Sequence, residues 1–402
     1  MPIAPLEGVR VIDLTHYMAG PFCTKLLADF GADVIKIERA DGGDPSRHLG
    51  PFYQDSPHPE KSGLYLHLNT NKRSVTLNMK TEAGKKILHE LLDNADILVE
   101  NFRPGVVESL GFDYPTLEKT HPRLVMTSIS NFGQTGPYRD FKGGDLTLYA
   151  MGGSMNITGD MDREPLKLAG NIIQYHAGAV AAYGTMLALY SAEMDGLGDH
   201  LDISIYETQA GSRDRRVTLL TAYQYTGDVG RRAAPGGRLG SGVRPCADGY
   251  VNLLGGRSFP NLCRMIDHEE LLEDPRFATQ AARMQPSASE EFDEYYIPWL
   301  LERTKREVWE KAQEHHVLSA VINTTEDLVT DPHFEERGVW DTLDHPFTGP
   351  LVYPGRPFIM SKTPRPPAKR APLLGEHNEE VICNELGYSK EDLVRLRQQN
   401  AI

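Results

Sequence analysis

Short β-rich segments alternate with helical segments through the first third of this 402-residue chain. An apolar run at 9–15 precedes a segment with helical spacing at 20–32, and a second apolar run follows at 34–38. Further strands are predicted at 74–79, 96–102 and 123–130, and a further helix at 82–95. Because strands separated by helices of this length join through right-handed crossovers, the pattern predicts an α/β fold with a mostly parallel, Rossmann-like sheet.

The length of the chain predicts more than one domain, since single hydrophobic cores stop growing near about 250–300 residues. A stretch rich in Gly and Arg at 230–242 breaks the regular pattern, and we place a domain change there. The region 245–330 has the pattern of a smaller α/β domain. The proline-rich stretch at 349–377 cannot be helical and is predicted to be extended.

Several classes of cofactor and partner are not expected. The first strand and helix lack the G-x-G-x-x-G turn, so the pattern gives no reason to propose NAD or flavin. Four widely separated cysteines indicate free thiols and no metal site. A formal net charge of −14 argues against a nucleic-acid partner. Because no apolar run approaches the ~20 residues that span a bilayer, and the N-terminus lacks a secretory signal, we expect a cytoplasmic protein without a membrane partner.

Five segments spread along the chain carry a resemblance to one known family. They are GVRVIDLTHYMAGPFCTKLLADFGADVIKIE at 8–38, NTNKRSVTLNMK at 69–80, VENFRPG at 99–105, GLGDHLDISIYE at 196–207 and APLLGEHNEEV at 371–381. Together they resemble the class III (formyl-CoA transferase-like) CoA-transferases over almost the full length. The resemblance implies a large domain formed by residues 1–225 and 331–402, a small domain at 226–330, and two subunits threaded through each other as interlocked rings.

The resemblance also implies that CoA binds at the carboxyl ends of the large-domain strands. The family positions that contact CoA correspond to Tyr17, Met18, Arg39, Leu77, Lys80, Asn101, Phe102 and Lys142. Among them the basic side chains would pair with phosphates, and the phenyl ring would face adenine or the pantetheine arm. Met18 and Ser109 depart from the family pattern, in which a polar and a basic residue are common at these two positions.

The family's nucleophile is the one part of the pattern that this chain lacks. The family uses an Asp in a D-x-x-x-G motif to attack a thioester, forming a mixed anhydride and then an enzyme-bound CoA thioester. In KLAGNIIQYHAGAV the residue four positions before Gly178 is Gln174. A Gln amide is neutral and essentially non-nucleophilic, so we predict that Gln174 cannot perform this step.

Other residues near Gln174 in sequence were considered as substitutes for the nucleophile. They are Asp145, Asp160, Asp162, Glu164 and His176. Solvation or capping is the favoured interpretation for the acids, and packing for the histidine. The racemase branch of the family needs a His where this chain has Gly144, and an Asp where it has Gln174, so racemase activity is not expected. The stretch from Gly236 to Gly242 resembles the family's mobile loop, or it is an interdomain linker.

Three functions are compatible with this pattern. The leading hypothesis is a CoA-transferase subunit that lacks its own nucleophile and works beside a homologous subunit that carries the Asp. Its acyl-CoA and carboxylate substrates would be succinyl-CoA and an arylsuccinate. The alternatives are a homodimeric CoA-ester enzyme repurposed for lyase or hydratase chemistry, with Gln174 polarising a thioester carbonyl, and a non-catalytic protein that binds CoA esters.

Overall fold

The computed structural model describes residues 4–211, 216–230, 232, 239–285, 287–363 and 366–402. The chain divides into two compact units. The large unit comprises Met1–Asn156, Lys167–Val229 and Arg337–Ile402, and the small unit comprises Ile157–Leu166 and Gly230–Glu336. Residues 236–238 of the predicted mobile loop lie outside the described residues, and the rest of that stretch leads into a strand of the small unit.

Six parallel strands form the sheet of the large unit. They are β1 (Arg10–Asp13), β2 (Asp33–Glu38), β3 (Arg73–Thr76), β4 (Ile97–Glu100), β5 (Val125–Ser130) and β6 (His200–Ser204). Their spatial order is β3-β2-β1-β4-β5-β6, with Val11 opposite Ile97 where β1 meets β4. The predicted α/β fold with a Rossmann-like parallel sheet is confirmed. Sequence analysis identified no strand at β6, whose short run is interrupted by Asp202.

The remaining strands are antiparallel. They are β7 (Ser241–Cys246), β8 (Gly249–Leu254) and β9 (Ser319–Val321) in the small unit, and β10 (Trp340–His345) and β11 (Gly349–Pro354), which pair as a hairpin in the large unit. The hairpin accounts for the start of the proline-rich stretch. After it the described chain continues without regular structure to a π-helical segment at Glu379–Glu385.

The α-helices of the described residues occur in both units. In chain order they are α1 (Ala19–Asp29), α2 (Gly63–Leu68), α3 (Glu82–Leu92), α4 (Val106–Leu110), α5 (Tyr114–Leu117), α6 (Asp145–Met151), α7 (Ile172–Asp195), α8 (Ile205–Gly211), α9 (Arg216–Thr226), α10 (Phe259–Met265), α11 (Gln280–Arg283), α12 (Ala288–Leu301), α13 (Lys305–Glu314), α14 (Thr325–Val329), α15 (Pro332–Glu336) and α16 (Lys390–Gln398). Among the described residues, no helix has both the length and the apolar character that crossing a membrane requires.

Both faces of the six-stranded sheet are buried, which explains the apolar runs in its strands. On one face Val11 packs in a cluster with residues of α1 and α7. On the other face Ile12 packs in a cluster with residues of α3 and α16. Because α16 lies near the C-terminus, the end of the chain completes the core that its first strands begin.

Helix α7 approaches α1 closely because its facing side carries small residues. A Cβ atom placed on Gly178 would lie 2.5 Å from the carbonyl oxygen of Ala19. Ala177 and Ala181 are fully buried beside this contact. Glycine is therefore required at position 178 by the separation of the two helices, and the Ala-rich sequence of α7 follows from the same constraint.

We predict that Gly178→Val destabilises the large unit by about 1–3 kcal/mol, because the new side chain overlaps the Ala19 carbonyl. Helix propensity alone would slightly favour the change, since Gly is a poorer helix former than Val. The free energy of unfolding, measured in urea, would show this loss. Ser191→Val on the exposed side of α7 is the matched control and is expected to change stability by less than about 1 kcal/mol. Equal stability of the two variants would contradict the steric argument.

Candidate functional site

The loops after β1 and β4 are joined at the carboxyl edge of the sheet. The strand order reverses between these two neighbouring strands, and open α/β sheets bind ligands in the crevice at such a point. The side chain of Asn101 links the loops, since its Oδ1 accepts a hydrogen bond from the backbone N–H of His16 at 2.8 Å. Its Nδ2 donates to the His16 carbonyl, also at 2.8 Å. One amide side chain therefore fixes the two loops to each other.

Tyr17 has a backbone conformation that few residues other than glycine adopt, with φ of 66°. Its N–H donates to Oδ1 of Asp44 at 3.1 Å, and Asp44 is completely buried. The side chain of Tyr17 is 51% exposed, so the strained backbone presents a ring to solvent at the crevice. Sequence analysis did not identify Asp44, which lies in the loop after the second strand.

A cavity of about 590 Å³ opens beside these loops, and we call it the Gln174 cavity. Six of the residues predicted to form the site line it, namely Tyr17, Met18, Asn101, Phe102, Lys142 and Gln174. Gln174 lies in the first turn of α7, where its N–H donates to the Asn171 carbonyl at 3.0 Å. The structure thus brings Gln174, the position predicted to correspond to the family's nucleophile, together with five of the predicted CoA-contacting residues.

The other three predicted residues line a neighbouring cavity of about 900 Å³, which we call the Lys80 cavity. Arg39, Leu77 and Lys80 surround it, together with Ser109. Phe102 lines both cavities, and its ring meets the His16 ring edge-on at a centroid distance of 5.3 Å. All nine predicted site residues therefore lie along two adjoining cavities that share one phenyl ring.

Arg39 already has an anionic partner. Its Nε and Nη2 donate to the Asp41 carboxylate at 2.9 and 2.8 Å. Both side chains are mostly exposed, so the pair contributes little to stability and solvent competes for it. A phosphate at this position would have to compete with Asp41 for the guanidinium.

Of the acids proposed above as substitutes for the nucleophile, Asp145 lines the Gln174 cavity. It is the first residue of α6. The carboxylate forms an ion pair of 2.8 Å with Lys167, whose Nζ also donates to the Leu168 carbonyl at 3.0 Å. This pairing makes it a poor substitute nucleophile.

The other candidate substitutes are less well placed. His176 is two residues from Gln174 on α7, and residues at that spacing do not share a helix face. Asp160, Asp162 and Glu164 are exposed residues of the small unit. Within the described ranges, no three His, Cys, Asp or Glu side chains are grouped to hold a metal ion.

Glu100 is a buried acid at the end of β4 that sequence analysis missed. Burial raises the pKa of its carboxyl group to about 7. Its Oε2 accepts a hydrogen bond from the N–H of Phe102 at 2.8 Å. The Glu100 carboxyl group therefore fixes the backbone of Phe102, the residue that lines both cavities. Glu100 ends the apolar run ILVE, and a charged residue at the end of such a run is expected to reach solvent. The sequence therefore gave no sign that this carboxyl group is buried.

Comparisons with known proteins identify relatives over nearly the full chain. The model of CoA-transferase family III matches residues 6–378. Succinyl-CoA–D-citramalate CoA-transferase of Chloroflexus aurantiacus is 34% identical over 411 residues, covering 100% of this chain and 99% of that protein. The BbsE subunit of succinyl-CoA:(R)-benzylsuccinate CoA-transferase from Thauera aromatica is 32% identical over 406 residues, covering 98% and 97%. The crystal structure of a CAIB/BAIF family protein from Brucella suis superposes with a TM-score of 0.82 at 28% identity, covering 96% and 100%.

The raised pKa of Glu100 predicts a pH-dependent stability. The folded state holds this proton up to about pH 7, whereas the unfolded chain releases it near the usual value for Glu. Glu100 therefore lowers stability progressively as the pH rises through this window. Glu100→Gln removes the ionisation and keeps an acceptor for the Phe102 N–H. We expect its free energy of unfolding, relative to wild type, to rise by roughly 2 kcal/mol from pH 5 to pH 8.

Urea unfolding at the two pH values measures this difference. Glu82→Gln is the control, because the Glu82 side chain is 93% exposed. Its stability relative to wild type is expected to stay constant with pH. A difference between Glu100→Gln and wild type that does not change with pH would contradict the assignment.

Proposed function

Because this chain belongs to CoA-transferase family III, we propose that it is a CoA-transferase subunit that binds an acyl-CoA but lacks a nucleophile of its own. The predicted family is thereby confirmed, and the subunit role is our proposal. The observation that carries it is Gln174, a neutral amide at the nucleophile position in a cavity lined by the proposed CoA contacts. A homologous subunit with the D-x-x-x-G motif would supply the carboxylate.

The proposed division of roles between the two subunits follows from the chemistry of CoA transfer. A carboxylate attacks the thioester carbonyl of the donor, and the C–S bond breaks to give a mixed anhydride and CoA thiolate. The thiolate then attacks the enzyme carbonyl, releasing the donor acid and leaving an enzyme thioester. The acceptor carboxylate attacks that thioester in turn, giving a second mixed anhydride and CoA thiolate. The thiolate then attacks the acceptor carbonyl of this anhydride, which forms the acceptor thioester and releases the enzyme carboxylate. A Gln side chain is neutral and has no anionic oxygen to begin this sequence. Its nitrogen is also a poor nucleophile, because the nitrogen lone pair is delocalised into the carbonyl.

We propose that CoA lies along both cavities. Lys80 and Arg39 in the Lys80 cavity, and Lys142 in the Gln174 cavity, would pair with its phosphates. Phe102 would contact the pantetheine arm where the cavities adjoin. An acyl group reaching Gln174 would then lie where the family's carboxylate would attack. Gln174 would still donate a hydrogen bond to the thioester carbonyl.

We propose that the partner is a homologous chain, interlocked with this one. One exposed side of α7 carries Tyr183, Leu187, Tyr190 and Met194, which are 54–70% exposed and spaced by three or four residues. A continuous apolar stripe of this kind on a soluble protein usually marks an interface. The relative BbsE, which is named as one subunit of a CoA-transferase, supports a second, different chain as the occupant.

The proposed substrates are succinyl-CoA and an arylsuccinate. Both relatives described above are named for reactions of succinyl-CoA, and one of them for benzylsuccinate. The Gln174 cavity has aromatic side chains from Tyr17, Phe102 and Phe141, which offer faces and edges to an aryl group.

Native mass spectrometry of the complex purified from its source organism tests the assembly. We expect a heteromer of this chain with a homologue that carries the D-x-x-x-G motif. The same chain, produced alone and purified, is expected to transfer no CoA between succinyl-CoA and free succinate. A homodimer from the source organism, or transfer by the chain alone at a rate typical of the family, would refute the proposal.

Restoring the carboxylate tests the role of position 174 directly. We predict that Gln174→Asp, without a partner, catalyses exchange of label between succinyl-CoA and free succinate, a reaction that does not require the natural acceptor. The rate should exceed that of Gln174→Asn by at least about 100-fold, because Asn has the shape of Asp without its charge. Exchange by Gln174→Asn as fast as by Gln174→Asp would show that another group performs the attack.

A further inference from the structure

Arg139 is a basic residue of the Gln174 cavity to which the family resemblance gives no role. Its Nε is buried and has no hydrogen-bond partner among the described residues. Among the described residues it has one acidic partner within 4.0 Å, its neighbour Asp140, whose carboxylate is 4.0 Å from Nη1 and whose side chain is 79% exposed. A guanidinium has five N–H donors in a planar fork, and the Arg139 side chain is 37% exposed, so its other donors can reach a ligand in the cavity.

The position of Arg139 favours an acyl group over a CoA phosphate as its ligand. Under the proposed function two of the three side chains that pair with phosphates, Arg39 and Lys80, lie in the Lys80 cavity, where Arg139 is not among the lining residues. Arg139 instead lines the cavity that contains Gln174, beside Phe141 and Lys142. It also lines a smaller cavity of about 200 Å³.

The balance of charge in the Gln174 cavity also favours an anionic acyl group. Its charged lining consists of Arg103, Arg139, Lys142, Asp140 and Asp145. Asp145 is paired with Lys167, and Asp140 lies at the outer limit of an ion pair with Arg139. With Gln174 neutral, the cavity retains an excess of positive charge in a chain whose formal net charge is −14. Local excess of this kind attracts anions whatever the overall charge.

We propose that Arg139 binds the free carboxylate of a dicarboxylic acyl-CoA, and that it selects this substrate class. The inference rests on the proposed function, because it requires the acyl group to enter the Gln174 cavity. A bidentate guanidinium–carboxylate contact would fix the end of the acyl chain remote from the thioester. Because Gln174 cannot attack the thioester, the ester bound here is not consumed and its binding can be measured at equilibrium.

Isothermal titration calorimetry of the 402-residue chain, produced without a partner, tests the proposed role of Arg139 with three ligands. They are CoA, butyryl-CoA and succinyl-CoA; the last two have acyl chains of four carbons, and only succinyl-CoA has the terminal carboxylate. We expect wild type to bind succinyl-CoA roughly 10- to 100-fold more tightly than butyryl-CoA. Arg139→Gln should abolish this preference and leave the affinities for CoA and butyryl-CoA within about twofold of wild type.

Two further variants control the experiment. Arg139→Lys keeps the charge but loses the fork, so we expect it to retain part of the preference. Arg395→Gln removes an exposed basic side chain on α16 and should leave all three affinities unchanged. Thermal unfolding of each variant would establish that it is folded.

The possible failures are distinguishable. Equal affinity of wild type for succinyl-CoA and butyryl-CoA would overturn the role of Arg139, with no variant needed, while CoA binding would still stand. An Arg139→Gln variant that loses affinity for all three compounds equally would assign the guanidinium to CoA itself and overturn the inference. Absence of binding of any of the three to wild type would refute the proposed function together with the inference.

Discussion

The buried ion pair between Lys36 and Asp44 is the contact on which the candidate site depends. The two charged groups are 2.9 Å apart and both side chains are completely buried. Asp44 accepts the Tyr17 N–H, and Lys36 donates to the Thr15 carbonyl at 2.8 Å, so the pair holds the loop after β1 at two points. Removing either charge would leave the other buried without compensation, which typically costs several kcal/mol. The strained backbone of Tyr17 persists because this pair fixes both ends of the turn.

A second buried pair extends the same network toward the rest of the sheet. Lys72 donates to Asp13 at 3.0 Å and also to the Pro21 carbonyl at 2.9 Å, so it joins the end of β1 to the start of α1. Burial lowers the pKa of Lys72 to about 8, although the charge of Asp13 opposes the shift. Burial disfavours the ionised form of Asp13, but Lys36 and Lys72 together outweigh it and keep the pKa of Asp13 below its usual range. The two buried pairs therefore connect the loop after β1 to α1 and to the neighbouring strands at the carboxyl edge of the sheet.

These pairs mark the limit of what the sequence could predict. The alternation of apolar runs was sufficient for the parallel sheet, and the family resemblance assigned Tyr17 and Asn101 to one site at the carboxyl ends of the strands. Lys36 could not be assigned in this way, since a lysine inside an apolar strand has no visible partner until the loop containing Asp44 folds back. Arg139 was also missed, because an isolated arginine in a polar loop gives no periodic signal. Nor could the sequence show that Ile157–Leu166 belongs with the small unit, since these residues carry no helix or strand pattern.

Under the proposed function, position 174 holds a neutral amide where the family has a negatively charged carboxylate. An Asp at this position would repel the phosphates and any free carboxylate of an anionic CoA ester. For two unit charges about 5 Å apart at an effective dielectric constant of about 20, this repulsion amounts to roughly 3 kcal/mol. A neutral Gln174 removes it while leaving the basic lining of the cavity in place. If the proposed function is correct, a Gln at this position strengthens equilibrium binding of an anionic CoA ester. The subunit without a nucleophile would then bind the ester more tightly than the subunit that performs the transfer.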